Sequence, residues 1–359
     1  MLKQVFCILI SICFSCTSAE EQPSSGNGAI DQPETGDWNV TVIHDGLIYP
    51  WEIRRSGSTL IITETEGNMV MINNSGSLTR YPLQTSSPVA RIGGSGLMGL
   101  ALANDFAMSG TAYVYYTYRA ETGLVNRIAQ VNFNGSAWRE TNILLDGIPG
   151  HQLYNGGRIA IGPDGFLYAT TGWTANSDMP QTIDNLAGKV LRLNLQGQPA
   201  AGNPFPNSYI YSFGHRNPQG IAWNMQGQLY VAEHGQAARD EINIIIPGGN
   251  YGWPLVQGDQ QQAGMITPHI HTGHTTLAPS GIAFTENGKL IIAALGARAI
   301  YTVDEQTKTF RQLLNLNERA RAVLPYEDGL YLITTNTSPQ QATGSSGIAD
   351  RLLWITPKN

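Results

Sequence analysis

The chain has no cysteine beyond residue 16; Cys7, Cys13 and Cys16 are all it contains. Everything that follows is therefore without disulfides, thiolate zinc sites, cysteine nucleophiles and redox dithiols. Charge is scarce as well. Asp, Glu, Lys and Arg make up 13% of the 359 residues, against about 25% in an average soluble domain. Acids outnumber bases, for a formal net charge of -6, and no basic stripe is present. A nucleic-acid binder, which must neutralise phosphates, is excluded. No apolar period of 3.6 residues is sustained after Trp38, which argues against a helical protein. What is present suffices for a folded body: 42% hydrophobic residues, 40 glycines and 15 tyrosines point to short, turn-bounded strands rather than disorder.

The first sixteen residues, MLKQVFCILISICFSC, read as a targeting segment. Lys3 gives a positive start, and the apolar run from Val5 to Phe14 is too short to cross a bilayer as a mature helix. The run ends in Phe14-Ser15-Cys16, which resembles a bacterial lipoprotein signal with Cys16 as the lipidated first residue; Cys13 departs from the usual leucine. An ordinary secretory signal cleaved near Ala19 is the alternative. Either way the expected location is extracytoplasmic, lipid-anchored or else secreted, with the anchor as the sole membrane contact. Residues 17–37 are polar and rich in Ser, Gly, Pro and acids, the composition of a flexible linker.

Along residues 38–359 one pattern recurs: a glycine turn, then an apolar strand. It leads into Leu60, Tyr113, Leu167, Leu229, Leu290 and Leu330, at spacings of 53, 54, 62, 61 and 40. A repeat near 50 residues suits a propeller blade of about four strands. The expected fold is all-β, a six-bladed β-propeller whose loops converge on a central channel. A sandwich or barrel, with Asp-Gly and Asn-Gly marking hairpins, is the alternative, and a regular repeat over this length fits it less well.

Four segments stand apart from the repeat. They are Gly96-Leu97-Met98-Gly99; Asn155-Gly156-Gly157-Arg158; Gly214-His215-Arg216-Asn217-Pro218-Gln219-Gly220; and Glu233-His234-Gly235 followed by Asp240-Glu241-Ile242-Asn243 and Gly249-Asn250-Tyr251-Gly252-Trp253-Pro254. Together they resemble the glucose/sorbosone dehydrogenase family, the soluble PQQ-dependent glucose and aldose sugar dehydrogenases. The resemblance runs from Pro50-Trp51 to about Arg351.

The resemblance implies a six-bladed propeller holding pyrroloquinoline quinone (PQQ) and calcium at the channel mouth. There an aldose loses its anomeric hydroxyl proton to a histidine and a hydride to the quinone, and an external acceptor takes the electrons. On matching positions, Arg216 and Asn217 contact the cofactor, and the Gly235 and Gln236 carbonyls hold calcium. Asp240, Glu241 and the Tyr251 carbonyl match a supporting calcium site. The chemistry suits these residue types: a planar guanidinium for quinone oxygens or a carboxylate, oxygen ligands for a hard cation.

Four departures bear on catalysis. Tyr154 stands where the family commonly has its histidine base, directly before Asn155-Gly156-Gly157-Arg158. His151, three residues earlier, is the other base candidate, and both alignments remain open. Trp173 follows Thr171-Gly172 where an orienting acid is expected, and Gly94 replaces a Gln or Glu. Arg298 stands near the family's cationic cofactor contact, shifted from its usual position. These changes motivate a second expectation, a sugar- or quinone-binding propeller without turnover; another chemistry in the same channel, such as calcium-assisted hydrolysis, is a third. The cluster His269, His271 and His274 sits in a Gly- and Thr-rich stretch without a carboxylate beside it and is expected to be a loop rather than a metal site.

Overall fold

The computed structural model describes residues 30–31, 38–336 and 348–358. The proposed signal segment and nearly all of the linker lie outside the described residues. Ile30–Asp31 is the exception, a two-residue strand paired in parallel with Phe310 and Arg311.

The strands group into antiparallel four-stranded units in chain order. The first unit is Pro50–Ser56, Thr59–Glu64, Asn68–Ile72 and Leu78–Gln84. The second is Leu97–Leu102, Thr111–Ala120, Gly123–Phe133 and Trp138–Pro149, joined edge to edge with the first through a short parallel contact at Trp138 and Leu83. The third begins with Gly156–Ile161, the fourth with Pro218–Trp223 and the fifth with Pro279–Phe284. The sixth is composite. Ala320–Tyr326, Gly329–Thr334 and Asp350–Pro357 supply three strands, and Trp38–Leu47 from the other end of the chain supplies the fourth. Each unit's first strand packs on the first strand of the next, and the sixth packs back on the first. The strands thus close a ring around an axis, the architecture of a β-propeller.

The recurring turn-and-strand pattern falls on the second strand of every unit. Three of these strands, Leu167–Thr171, Leu229–Glu233 and Leu290–Ala294, are buried at every residue, and the other three are buried at most of theirs. They are covered on both faces by neighbouring sheets, which is why they read as continuous apolar runs rather than alternating ones. The outer strand Trp38–Leu47 has solvent on one side and is mostly exposed. The core is correspondingly divided. Six apolar clusters each fill the seam between two adjacent units, as with Tyr115, Ile128, Ile159 and Leu191 between the second and third. Burying one such side chain contributes roughly 1.5–3 kcal/mol, so the seams hold the ring together.

Near the axis the first strands crowd. A Cβ on Gly99 would stand 2.4 Å from the Gly157 carbonyl, and one on Gly220 would stand 2.3 Å from that of Ser280. Only glycine permits the inner strands this approach. The geometry explains the glycines of the Leu-Met-Gly and Pro-Gln-Gly segments.

Candidate functional site

Along the axis, side chains from different units meet in a polar waist. Glu52 of the first unit and Arg158 of the third form a buried ion pair at 2.6 Å. Arg158 also donates from Nε to the Gln219 carbonyl at 2.8 Å and lies 4.0 Å over the Trp51 ring. Arg321 of the sixth unit donates to Gln219 Oε1 at 3.1 Å and to Ser280 Oγ at 3.3 Å. Beside this waist lies a cavity of about 300 Å³ with contributions from all six units, among them Trp51, Gly94, Tyr154, Asn217, Ala278 and Arg321.

The cavity wall is cationic. Arg91, Arg319 and Arg321 line it with charge, His234 lines it as a ring whose pKa burial pushes down to about 4, and among the described residues no carboxylate lines it. Burial, with Arg158 and Arg319 nearby, pushes Arg321 down to about 9. Burial and the neighbouring Arg298 lower Arg319. The Nε atoms of Arg216, Arg319 and Arg321 are buried without a hydrogen-bond partner among the described residues. Buried donors of this kind cost free energy until an acceptor arrives. A flat polyanion with several carboxylates and carbonyls fits this donor set, so the residues present fit PQQ.

Arg216 is not among the lining residues; it packs behind two of them, Tyr154 and His234. Its guanidinium carbon lies 5.0 Å from the Tyr154 ring centre, 5.2 Å from that of Trp253 and 5.8 Å from that of Trp173. Its Nη1 donates to the His234 carbonyl at 3.2 Å, one residue before Gly235. Burial lowers its pKa, with Tyr154, Glu233 and Asp240 opposing the shift. The preceding residue is locked in place: His215 is fully buried between Ser212 Oγ and Glu233 Oε2, each at 2.8 Å. The Arg216 backbone N–H donates to the other oxygen of Glu233. Asn217 is buried and lines the cavity, its Oδ1 accepting from the Gly156 N–H at 3.2 Å.

Tyr154 lines the cavity and His151 does not. The two rings stack, with centres 5.2 Å apart and planes 8° apart. His151 Nδ1 accepts the Leu153 backbone N–H at 3.0 Å, which fixes the neutral ring with its proton on Nε2. Burial lowers the His151 pKa further. Trp173 packs edge-on against Trp253 and tilted against Tyr154, so this corner is aromatic where an acid–base pair was expected. Arg298 is exposed on the turn after Leu290–Ala294 and lies outside the cavity lining.

Of the calcium candidates, Gly235, Gln236 and Asp240 fall in one loop, Glu241 opens the strand Glu241–Ile244 that follows, and Tyr251 lies in the next connection. Gly235 is tightly enclosed, since a Cβ there would stand 2.0 Å from the Ala238 carbonyl. Ala237, Ala238 and Arg239 follow with φ of 56°, 135° and 55°. Three consecutive non-glycine residues in this region store strain, which concentrates at ligand clamps. Asp240 holds the loop in place: its carboxylate accepts N–H groups from Gly235 at 3.0 Å, Leu277 at 2.7 Å and Ala278 at 2.6 Å. Among the described residues no N–H donates to the Gly235 or Gln236 carbonyl, a donor pair that suits a hard cation. Glu241 is buried, accepts from Gly258 N–H and Asn243, and is pushed up to about 8 by burial and by Glu233. Tyr251 stacks on His215 and donates its hydroxyl to the Ile244 carbonyl. No group of three His, Cys, Asp or Glu side chains is placed to hold a metal among the described residues. Of the histidine cluster, His269 pairs with Glu305 and His271 accepts the Gly273 N–H.

Sequence reasoning missed Arg319 and Arg321. They precede and open the sixth unit's first strand, outside both the repeat and the four motifs. Their i, i+2 spacing is the available signal, since alternate residues share one face of a strand. Arg91 and His234 of the cavity wall were missed as site residues as well.

The family model for glucose/sorbosone dehydrogenases matches residues 47–343. Aldose sugar dehydrogenase YliI of Escherichia coli is 28% identical over 363 residues, covering 89% of this chain and 93% of that protein. Quinoprotein glucose dehydrogenase B of Acinetobacter calcoaceticus is 35% identical over 234 residues, 56% of this chain and 48% of that protein. Among solved structures, the PQQ-bound aldose sugar dehydrogenase of Streptomyces coelicolor superposes with a TM-score of 0.80 at 32% identity, covering 90% of this chain and 99% of that one. With its ring of antiparallel sheets and its acid-free axial cavity, the chain belongs to the glucose/sorbosone dehydrogenase family.

Proposed function

We propose that this protein is a quinoprotein aldose dehydrogenase: a six-bladed propeller that binds PQQ and calcium at its axial mouth, oxidises an anomeric hydroxyl and passes the electrons to an external acceptor. The observation that carries the reading is the cavity wall, where Arg91, Arg319 and Arg321 stand and, among the described residues, no carboxylate does. Six seams and a closed ring of first strands support the blade number.

When bound, the quinone supplies a two-electron acceptor for the sugar's hydride. The protein's own part is positioning and electrostatics. Arg216 and Asn217 donate from the fourth unit, and Arg319 and Arg321 offer charge to carboxylates from the sixth. The Gly235 and Gln236 carbonyls offer oxygen to calcium. Tyr154, Trp173 and Trp253 enclose Arg216, and a guanidinium shielded from water acts more strongly on developing negative charge.

A second reading, a ligand-binding propeller without turnover, is favoured by one observation. Tyr154 faces the cavity while the acceptor nitrogen of His151 is engaged by a backbone N–H. Adding PQQ and Ca²⁺ to the purified protein and following dye reduction with a panel of aldoses separates the two. Reduction supports the dehydrogenase. A quinone absorbance change without reduction supports the binding module, and neither result leaves both unsupported. Export rests on residues 1–16; Cys16→Ala is expected to release a lipid-anchored protein from the membrane fraction, and unchanged fractionation speaks for ordinary secretion.

A further inference from the structure

Arg91 is the cation for which the reading above has no task. There Arg319 and Arg321 face the PQQ carboxylates, and Arg216, which is not among the lining residues, acts on charge developing at the quinone. Arg91 belongs to the loop entering the second unit and is exposed at the cavity rim. It is held from two sides: its guanidinium lies flat over Tyr49, 3.7 Å from the ring centre, and its Nε donates to Thr65 Oγ1 at 3.2 Å. Its terminal nitrogens have no partner among the described residues. Tyr49 and Thr65 belong to the first unit's end of the ring, opposite the fourth unit that carries Arg216.

Two further observations point to a ligand for it. Gly93 and Gly94 line the cavity from the same loop as Arg91 and put no side chain into it, so a substituent has room beside the guanidinium. The wall also offers no carboxylate to accept sugar hydroxyls. A donor-rich pocket favours an acceptor-rich ligand, and a planar fork matches a carboxylate best.

We propose that Arg91 is a specificity-determining residue that takes the carboxylate of a sugar acid, making uronic acids rather than neutral hexoses the substrate class. For turnover this rests on the dehydrogenase reading. The sugar would lose its anomeric C–H as hydride to the bound quinone and its hydroxyl proton to the base, Tyr154 or His151, with the electron pair passing on to the external acceptor and the lactone of an aldaric acid as product.

The test uses the protein loaded with PQQ and Ca²⁺, with D-glucuronate against D-glucose and D-galacturonate against D-galactose. The uronates are expected to have kcat/KM about tenfold or more above their neutral partners, in line with one charged hydrogen-bonding pair. Arg91→Gln is expected to collapse that ratio through KM, and Arg91→Lys to restore it in part. A preference for the neutral sugars overturns the proposal. So does an Arg91→Gln protein that loses quinone binding while its uronate-to-neutral ratio stays fixed. A preference for glucose 6-phosphate over glucuronate assigns the guanidinium to phosphate and overturns it too. If no sugar is oxidised, calorimetric binding of glucuronate and glucose to the loaded wild-type and Arg91→Gln proteins decides. Arg91-dependent glucuronate binding then upholds this inference while the dehydrogenase reading falls; its absence overturns the inference.

Discussion

The waist and the mouth of the axial channel both contain buried arginines, and the two differ in what faces them. At the waist Arg158 has Glu52 at 2.6 Å. Toward the mouth, the guanidinium groups of Arg216 and Arg319, and of Arg321 where the waist meets the cavity, contact carbonyls, amides and aromatic rings and, among the described residues, no carboxylate. Burying a charge costs several kcal/mol unless a partner offsets it. At the waist the partner is built in, and the pair belongs to the scaffold. At the mouth the partner must arrive from solution.

The largest expected effect tests the waist. Arg158→Met removes the buried one of the two cations on Glu52, which is 1% exposed and keeps Arg54 at 2.8 Å, and is expected to cost about 3 kcal/mol in urea unfolding, the low end for a broken buried pair. Arg321→Met removes a buried cation that has no such partner and is expected to change stability by less than about 1 kcal/mol. Equal losses in the two proteins would break the distinction. Next, Arg216→Ala is expected to weaken quinone binding by about a hundredfold with little change in Tm, measured by absorbance titration and thermal melting. A protein that melts early but binds normally would make Arg216 part of the scaffold instead.

A smaller change is expected from Tyr154→His, which returns an imidazole to the cavity wall. Turnover should rise, by no more than about 10², the low end of what a positioned base contributes, because Trp173 stands where an orienting acid was expected. If turnover is unchanged and His151→Ala is inactive, the base is His151. The mildest test concerns a third kind of buried cation. Lys189 has neither carboxylate nor ligand; its ammonium donates to the Met179, Pro180 and Ala187 carbonyls. Burial pushes it down to about 7. The unfolded chain keeps this proton up to the ordinary lysine range near 10.5, so the group makes stability rise with pH from about 7 towards 10. The Tm of wild type minus that of Lys189→Met should rise steadily across that window, and a difference that is flat or falls refutes the assignment.

Much of the ring was legible because the repeat reports a local event. A glycine turn feeding a strand buried on both faces leaves the same trace in all six units. The pairing of Trp38–Leu47 with Asp350–Pro357 left none, since nothing local marks two strands 300 residues apart as neighbours. The site was legible where a motif occupies one contiguous stretch, as from Gly214 to Gly220. Arg319, Arg321 and Arg91 reach the cavity only through ring closure, so their neighbours in sequence say nothing of it. The engagement of His151 Nδ1 by the Leu153 N–H depends on the conformation of a turn, which spacing alone does not reveal.

The pairing of Trp38 with Pro357 also sets a direction. In the sixth unit Arg319, Arg321 and Thr335 line the axial cavity, while Trp38, Tyr326, Gly329 and Pro357 share a groove at the far end of the same strands. The chain therefore enters the ring from underneath. A body moored through its leading end would hold its opening outward, towards whatever diffuses past, and leave its underside to the surface that moors it.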